Sequence, residues 1–254
     1  MTEQNTTASP RTASYEADPD LVRKVLLLYS GGLDTSVMLR WIQEEYHAEV
    51  VCLTVNLGQP GEDYDVVREK ALRLGAVECL IVDAREEFAR DYLVRAIRAN
   101  AIYGSGYPLF TALGRPLIAA LAVEHARAHG CDTIAHGCTG KGNDQVRIEA
   151  TIATLAPELK VIAPVRTWRM GRDEEIEYAR QHDIPIKASS GTEGGAPYSI
   201  DDNLWGRSSE GRWIEDLAHV PEQDVFQLVT PPERAPDEPR LVELEFEAGI
   251  PVAI

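Results

Sequence analysis

Positive charge is scarce in this sequence. Only 25 Lys and Arg stand against 41 Asp and Glu, a formal net charge of −16 over 254 residues. So acidic a chain opposes nonspecific attraction to nucleic acid or anionic membrane, which both need a basic surface, leaving only a local basic patch as an exception. No apolar run approaches the roughly 20 residues of a membrane-spanning helix. The opening residues lack a basic stretch followed by an apolar core, so residues 1–22 read as a disordered tail and not as a signal peptide. The four cysteines, Cys52, Cys79, Cys131 and Cys138, show no CxxC spacing. That argues against a zinc or dithiol motif and fits a reducing, cytoplasmic setting. Neither GxGxxG nor GxxxxGK[ST] occurs, and there is no internal repeat. A hydrophobic content of 44% is ordinary for a globular protein, and the length suits one large domain or one and a half.

What is present is a strand, a glycine turn and a helix start. Lys24 to Tyr29 is rich in Leu and runs into Ser30-Gly31-Gly32-Leu33-Asp34-Thr35-Ser36. A helical pattern then carries Val37, Met38, Trp41 and Ile42 on one side. Paired glycines permit a sharp turn and a close ligand approach. The first amides of a helix have no intrahelical acceptor and point outward with the positive end of the dipole, which suits phosphate. An ordinary βα turn with capping hydroxyls is the plain alternative.

Strand and helix patterns then alternate, which predicts a parallel, doubly wound α/β sheet with ligands beyond the carboxyl ends of its strands. Strands are expected at 49–55, 78–83, 132–135 and 160–164, with helices at 63–74, 86–100, 115–129 and 172–182. The segment 102–114, rich in glycine and aromatics, should be a loop over the ligand edge. The strand ending at Ala135 leads into His136-Gly137-Cys138-Thr139-Gly140-Lys141-Gly142-Asn143-Asp144-Gln145-Val146-Arg147, again glycines before a helix. Beyond Pro185 small and polar residues dominate, so the first domain should cover 23–187. Residues 188–254 should begin a second one, and a strand at 241–246 with a partner at 250–254 looks unfinished, as if cut from a longer chain.

SGGLDTS matches the pyrophosphate loop of the ATP pyrophosphatases, and the wider sequence resembles the N-terminal portion of the argininosuccinate synthase family. The resemblance rests on YSGGLDTS (29–36) and GCTGKGNDQVR (137–147), supported by NLGQ (56–59), the Tyr107 loop leading to RPLIA (115–119), and PYSIDDNLWG (197–206). It implies an adenine nucleotide alpha hydrolase-like fold followed by a partial α+β synthetase domain. The implied reaction is ligation of citrulline to aspartate through a citrullyl-AMP intermediate, with ATP and Mg²⁺ as cofactors. A homo-oligomer, or a chain supplying the C-terminal part, would be the macromolecular partner.

The resemblance assigns ATP contacts to Leu28, Tyr29, Ser30, Gly31, Gly32, Leu33, Asp34, Thr35, Ser36, Val55 and Gly137. Thr139, Asn143 and Asp144 would bind aspartate, with Asp144 receiving its amine. Tyr107, Thr111, Asn143, Arg147, Ser199 and Ser208 would bind citrulline, and Asp144, Asn143 and Arg147 would carry the catalysis. An arginine suits a carboxylate because its planar fork offers two parallel donors. No protein-held metal site is expected, since His136 beside Cys138 makes only two ligands. The sequence departs from the family at Leu28, Ala112, Ile148 and the stretch Thr192 to Gly195. Two rivals stay open: a tRNA-thiolating relative, which would need a reactive cysteine and a basic surface, and a nucleotide-binding paralogue inactive alone.

Overall fold

A computed structural model describes residues 17–104, 106–168, 170–185, 199–210, 214, 216–221, 223–226 and 228–254. Most of the expected tail and the stretch from Thr192 to Gly195 lie outside these. The described residues form two compact units, one drawn from 1–54, 65–80 and 119–184, the other from 55–64, 81–118 and 185–254.

The main sheet runs in the order β3-β2-β1-β4-β5. Its strands are β1 (Lys24–Leu28), β2 (Glu49–Asn56), β3 (Glu78–Asp83), β4 (Thr133–Ala135) and β5 (Lys160–Ile162). β1 pairs in parallel with β2 and β4, and β4 with β5. Val25, Leu26, Leu27, Val50, Val51, Cys52 and Ile134 are fully buried, the unbroken apolar run of a sheet covered on both faces. Each such side chain contributes about 1.5–3 kcal/mol by leaving water.

In unit 1, α1 (Leu33–Glu45) buries Val37, Met38, Leu39 and Ile42. α2 (Tyr64–Arg73) buries Val67 and Ala71, and α6 (Asp144–Leu155) buries Ile148 and Ile152. Trp41 stays half-buried and meets Trp168 edge to face at 6.2 Å. The expected strand to Pro164 stops at Ile162, because Pro164 opens the short helix α7 (Pro164–Thr167), where its missing N–H costs nothing. α8 (Arg172–Gln181) follows, and Tyr178 donates to Glu44 Oε2 at 2.6 Å. α5 (Gly114–Ala128) precedes β4.

The helix expected at 86–100 is interrupted. α3 (Arg85–Glu87) passes into a π-helical turn (Phe88–Leu93) and then α4 (Val94–Arg98). Phe88 and Leu93, both buried, are five residues apart, the spacing of π-type bonding. In unit 2 the hairpin β6 (Ser199–Asn203) with β7 (Gly206–Glu210) is antiparallel. A second hairpin joins β8 (Glu245–Glu247) to β9 (Ile250–Ala253) through Ala248 and Gly249, both at positive φ. β8 is shorter than the alternation at 241–246 predicted. Leu241 and Leu244 remain 97% and 56% exposed, so that alternation has no core face to bury within the described residues.

Candidate functional site

The strand order reverses between β1 and β4. Open parallel sheets bind ligands outside the carboxyl ends of the strands at such a switch point. The chain leaves β1 into Tyr29–Ser36 and leaves β4 into His136–Asn143, and Leu27 stands opposite Ala135 in the shared register. Both glycine loops therefore start from neighbouring strand ends.

The first loop is held by its own hydroxyls. Gly31 takes φ +75°, and Gly32 is extended as the N-cap of α1, with no side-chain cap. Ser36 Oγ donates to Gly32 O at 2.6 Å, so its lone pair receives the Tyr29 hydroxyl at 3.2 Å. The Gly32 amide donates to Ser30 Oγ at 3.3 Å, and Ser30 Oγ lies 3.2 Å from Thr35 Oγ1. Burial pushes the Tyr29 phenol far above its ordinary range, so it remains a hydrogen-bond donor at neutral pH. Ser36 is the first residue bonded back into α1, to Gly32 O at 3.2 Å, so the amides ahead of it precede the helix ladder. Leu28, half-buried, ends β1 beside this turn.

Sequence reasoning missed Lys70. Its ammonium donates to Gly31 O at 2.8 Å, while Val67, one turn earlier on α2, stands 3.1 Å from where a Cβ on Gly31 would lie. The i, i+3 spacing of Val67 and Lys70 put both on one face of α2, which was the available signal.

The second loop closes on Asn143, whose side chain makes no capping bond although it occupies the N-cap of α6. Asp144 and Arg147, one turn apart, form an ion pair at 2.7 Å with about a third of each side chain exposed, 28% and 32%. Thr139 is exposed. A Cβ at Gly137 would stand 2.8 Å from Met38 Cε, so this glycine admits close packing against α1. His136 is 1% exposed with both ring nitrogens engaged, by the Cys138 amide and by Glu149. That accounts for it without a metal.

Unit 2 gathers the lesser motifs. Tyr107 pairs with Tyr103 through two backbone bonds of 2.8 and 3.1 Å, and its hydroxyl lies 3.5 Å from Thr111 Oγ1. The following segment is fastened to the β6–β7 hairpin: Trp205 Nε1 donates to Pro108 O at 2.6 Å and Asn203 Nδ2 to Phe110 O at 2.7 Å. Arg115 pairs with Asp201 at 3.3 Å, and the Leu204 amide donates to Leu57 O at 2.8 Å. Ser208 stands opposite Asp201 and Ser199 opposite Glu210, two register steps apart. Val55, 7% exposed, lies near the end of β2. The hairpin was not legible because its strands, SIDDN and GRSSE, carry almost no apolar alternation.

Residues 24–185 match the family model for the arginosuccinate synthase N-terminal HUP domain, and residues 198–254 match that for the arginosuccinate synthase C-terminal domain. The chain belongs to the argininosuccinate synthase family. It is 59% identical over 232 residues to the argininosuccinate synthase of Rubrobacter xylanophilus, covering 91% of this chain and 55% of that one. It is 52% identical to that of Symbiobacterium thermophilum and 49% identical to that of Chlorobium phaeobacteroides, in each case across 91% of this chain and 57% of the relative. The chain thus spans little more than half the length of the curated relatives it matches.

The parallel α/β sheet of pyrophosphate-loop type expected from the sequence agrees with the family's HUP domain. Two of the positions at which the sequence departs from the expected family pattern are buried. Ile148 is 3% exposed and fills the core beside Ile152, and Ala112 is 9% exposed. Among the described residues no helix is long and apolar enough to cross a membrane.

Proposed function

We propose that this chain binds ATP on the β1 loop and uses the β4 loop to bring citrulline and aspartate to the α-phosphate, as an ATP-dependent carbon–nitrogen ligase. The observation that carries this reading is the departure of both signature loops from adjacent strand ends at the switch point. In the first step the ureido oxygen of citrulline attacks the α-phosphorus and the bond to the β-phosphate breaks, releasing pyrophosphate. In the second, the aspartate amine attacks the activated carbon, AMP leaves with the former ureido oxygen, and argininosuccinate forms after loss of a proton from the amine.

The residues present suit these demands. Outward amides offer donors where charge grows on the leaving pyrophosphate, and the Ser30 and Thr35 hydroxyls, which here bond each other and Gly32 O, turn to it when ATP binds. Asp144 and Arg147 already form a pair of opposite charges, and an amino acid carries the complementary pair. Asp144 takes the ammonium of aspartate, Thr139 and Asn143 its carboxylates, and Arg147 the α-carboxylate of citrulline. Tyr107, Thr111, Ser199 and Ser208 contribute the remaining citrulline contacts, and Leu28, Val55 and Gly137 the nucleotide contacts.

The described residues contain no cluster of three or more His, Cys, Asp or Glu able to hold a metal. Mg²⁺ fits as an ion bound mainly by phosphates and water, with Asp34 as the loop's own carboxylate. A cytoplasmic location and a homo-oligomer, or a second chain completing the citrulline pocket, belong to the same proposal. So does the division into a nucleotide-binding domain over 23–187 and the start of a synthetase domain over 188–254.

The test is citrulline-dependent exchange of labelled pyrophosphate into ATP, followed by aspartate-dependent release of AMP. Exchange without aspartate and AMP only with it supports the ligase. ATP binding with no citrulline-dependent exchange would leave a nucleotide-binding protein and overturn the ligase reading for this chain.

A further inference from the structure

His136, Gln145, Glu149 and Arg166 form a continuous hydrogen-bonded chain that begins and ends on the same loop. The Cys138 amide donates to His136 Nδ1 at 3.2 Å. A nitrogen that accepts a hydrogen bond carries no proton, so the ring hydrogen sits on Nε2 and is donated to Glu149 Oε1 at 3.1 Å. Arg166 Nη2 donates to that same oxygen at 2.6 Å, and Arg166 Nη1 donates to Gln145 Oε1 at 2.8 Å. Gln145 Nε2 then donates to Gly140 O at 2.9 Å. The circuit leaves the loop at Cys138 and returns at Gly140, with Thr139 as the residue enclosed.

We propose that this circuit is a clasp that sets the position of Thr139, with His136, Gln145, Glu149 and Arg166 as positioning residues for the amino-acid substrate whose carboxylate Thr139 meets. The substrate assignment rests on the function proposed above. The geometry favours positioning over simple neutralisation of a buried carboxylate. Glu149 is 12% exposed and any cation would neutralise it, whereas Arg166 holds Glu149 and Gln145 with two different nitrogens of one planar group, a spacing that the single ammonium nitrogen of lysine does not reproduce. The direction of every bond is also fixed by chemistry. Glu149 can only accept, which requires His136 to donate, and that leaves Nδ1 for the loop amide. Changing any member therefore reaches Cys138 or Gly140.

Arg166→Lys separates the two roles, because it keeps a cation beside Glu149 and removes the fork. Glu149→Gln removes the obligate acceptor and leaves His136 free to turn over its tautomer. The readouts are amide hydrogen exchange at Cys138 and Thr139, nitrogen shifts of the His136 ring, and calorimetric titration with L-aspartate and separately with ATP, each on the full chain after thermal melting confirms the fold. The clasp predicts Nε2–H on His136 and at least tenfold faster exchange at Cys138 or Thr139 in both variants. It also predicts aspartate affinity lowered tenfold or more, with ATP affinity changed less than twofold. Unchanged exchange in Arg166→Lys would reduce the network to charge neutralisation and overturn the proposal, as would a ring hydrogen on Nδ1. Faster exchange in the variants of a parent chain that binds no aspartate would uphold the clasp and bring down the substrate assignment instead. A variant that fails to melt as a folded protein is replaced by Gln145→Leu, a change at a half-buried residue that cuts the same circuit and is read by the same exchange.

Discussion

Around the place a Cβ would take at Gly142 there is no described atom within 4 Å, and at Gly32 only the Ser30 hydroxyl at 3.3 Å. In unit 2, a Cβ at Gly58 would stand 2.6 Å from Leu204, and one at Gly206 2.5 Å from Phe110. The same residue type serves two ends. At Gly32 and Gly142, in the loops after β1 and β4, glycine leaves space open at the strand ends, and at Gly58 and Gly206 in unit 2 it lets segments far apart in sequence pack without a gap, although Gly61, Gly104 and Gly106 of unit 2 also face open space. Gly31 and Gly137 show that the first region uses packing glycines too, against Val67 and Met38.

The largest effect that would break this comparison is at Gly32. Its backbone is extended and a Cβ there meets only the Ser30 hydroxyl, which has to give by a few tenths of an ångström, so Gly32→Val should still fold while its branched Cβ meets the phosphates. Calorimetry should find ATP binding abolished at an unchanged melting temperature. Retained affinity would mean that the open space is not the phosphate site. Gly58→Ala should do the reverse. It places a Cβ at φ +91° against Leu204, a strain of about 1–2 kcal/mol with a similar overpacking cost. Exchange protection across 199–210 should fall while ATP affinity stays within a factor of two, and equal losses at both would erase the distinction between the regions.

A smaller effect is expected for Asp144→Asn, which removes the anion proposed for the incoming ammonium and frees Arg147 from its pair. A charge-assisted bond is worth about 1.5–3 kcal/mol, so kcat/KM for aspartate should drop roughly ten- to two-hundredfold with the ATP term little changed. Equal losses for both substrates would contradict the assignment. The smallest effect concerns the buried thiols in and beside the sheet. Burial pushes Cys79 and Cys131 up to about 11 from an ordinary 9.0 and raises Cys52 well above that ordinary value too. Between these values the unfolded chain sheds thiol protons that the folded chain keeps, so stability falls as pH rises from about 9 toward about 11. Urea midpoints across that window should decline, and less steeply in Cys79→Ala; a flat profile would count against the burial.

The first region was largely legible because its signals are local. The β1 strand, the turn and α1 are consecutive, and so are β4, its loop and α6. The sequence also placed Asn143 and Arg147 on one helical turn, though it did not foresee that Asp144 and Arg147 pair with each other. Lys70 went unseen because it reaches Gly31 from another helix, and the Arg166 clasp because its members span thirty residues of chain. Unit 2 was least legible for the same reason. Trp205 and Asn203 close on Pro108 and Phe110 across more than ninety residues, and no periodicity in SIDDN or GRSSE marks them as strands. The expected strand over 241–246 was overextended in the opposite way: the hairpin with its partner at 250–253 is present, but the strand forms only over 245–247, because nothing in the described residues buries the alternation before it.

The central claim is that the loops after β1 and β4 form one site for nucleotide and amino acid. The most direct measurement is amide chemical-shift mapping of the 254-residue chain titrated with ATP and Mg²⁺ and then with L-aspartate. The account predicts that ATP moves Ser30 to Ser36 together with Gly137, and that aspartate then moves Thr139, Asn143 and Asp144 with little change in the first loop. ATP shifts confined to residues away from both loops, or aspartate shifts that leave 139–144 unmoved, would contradict it.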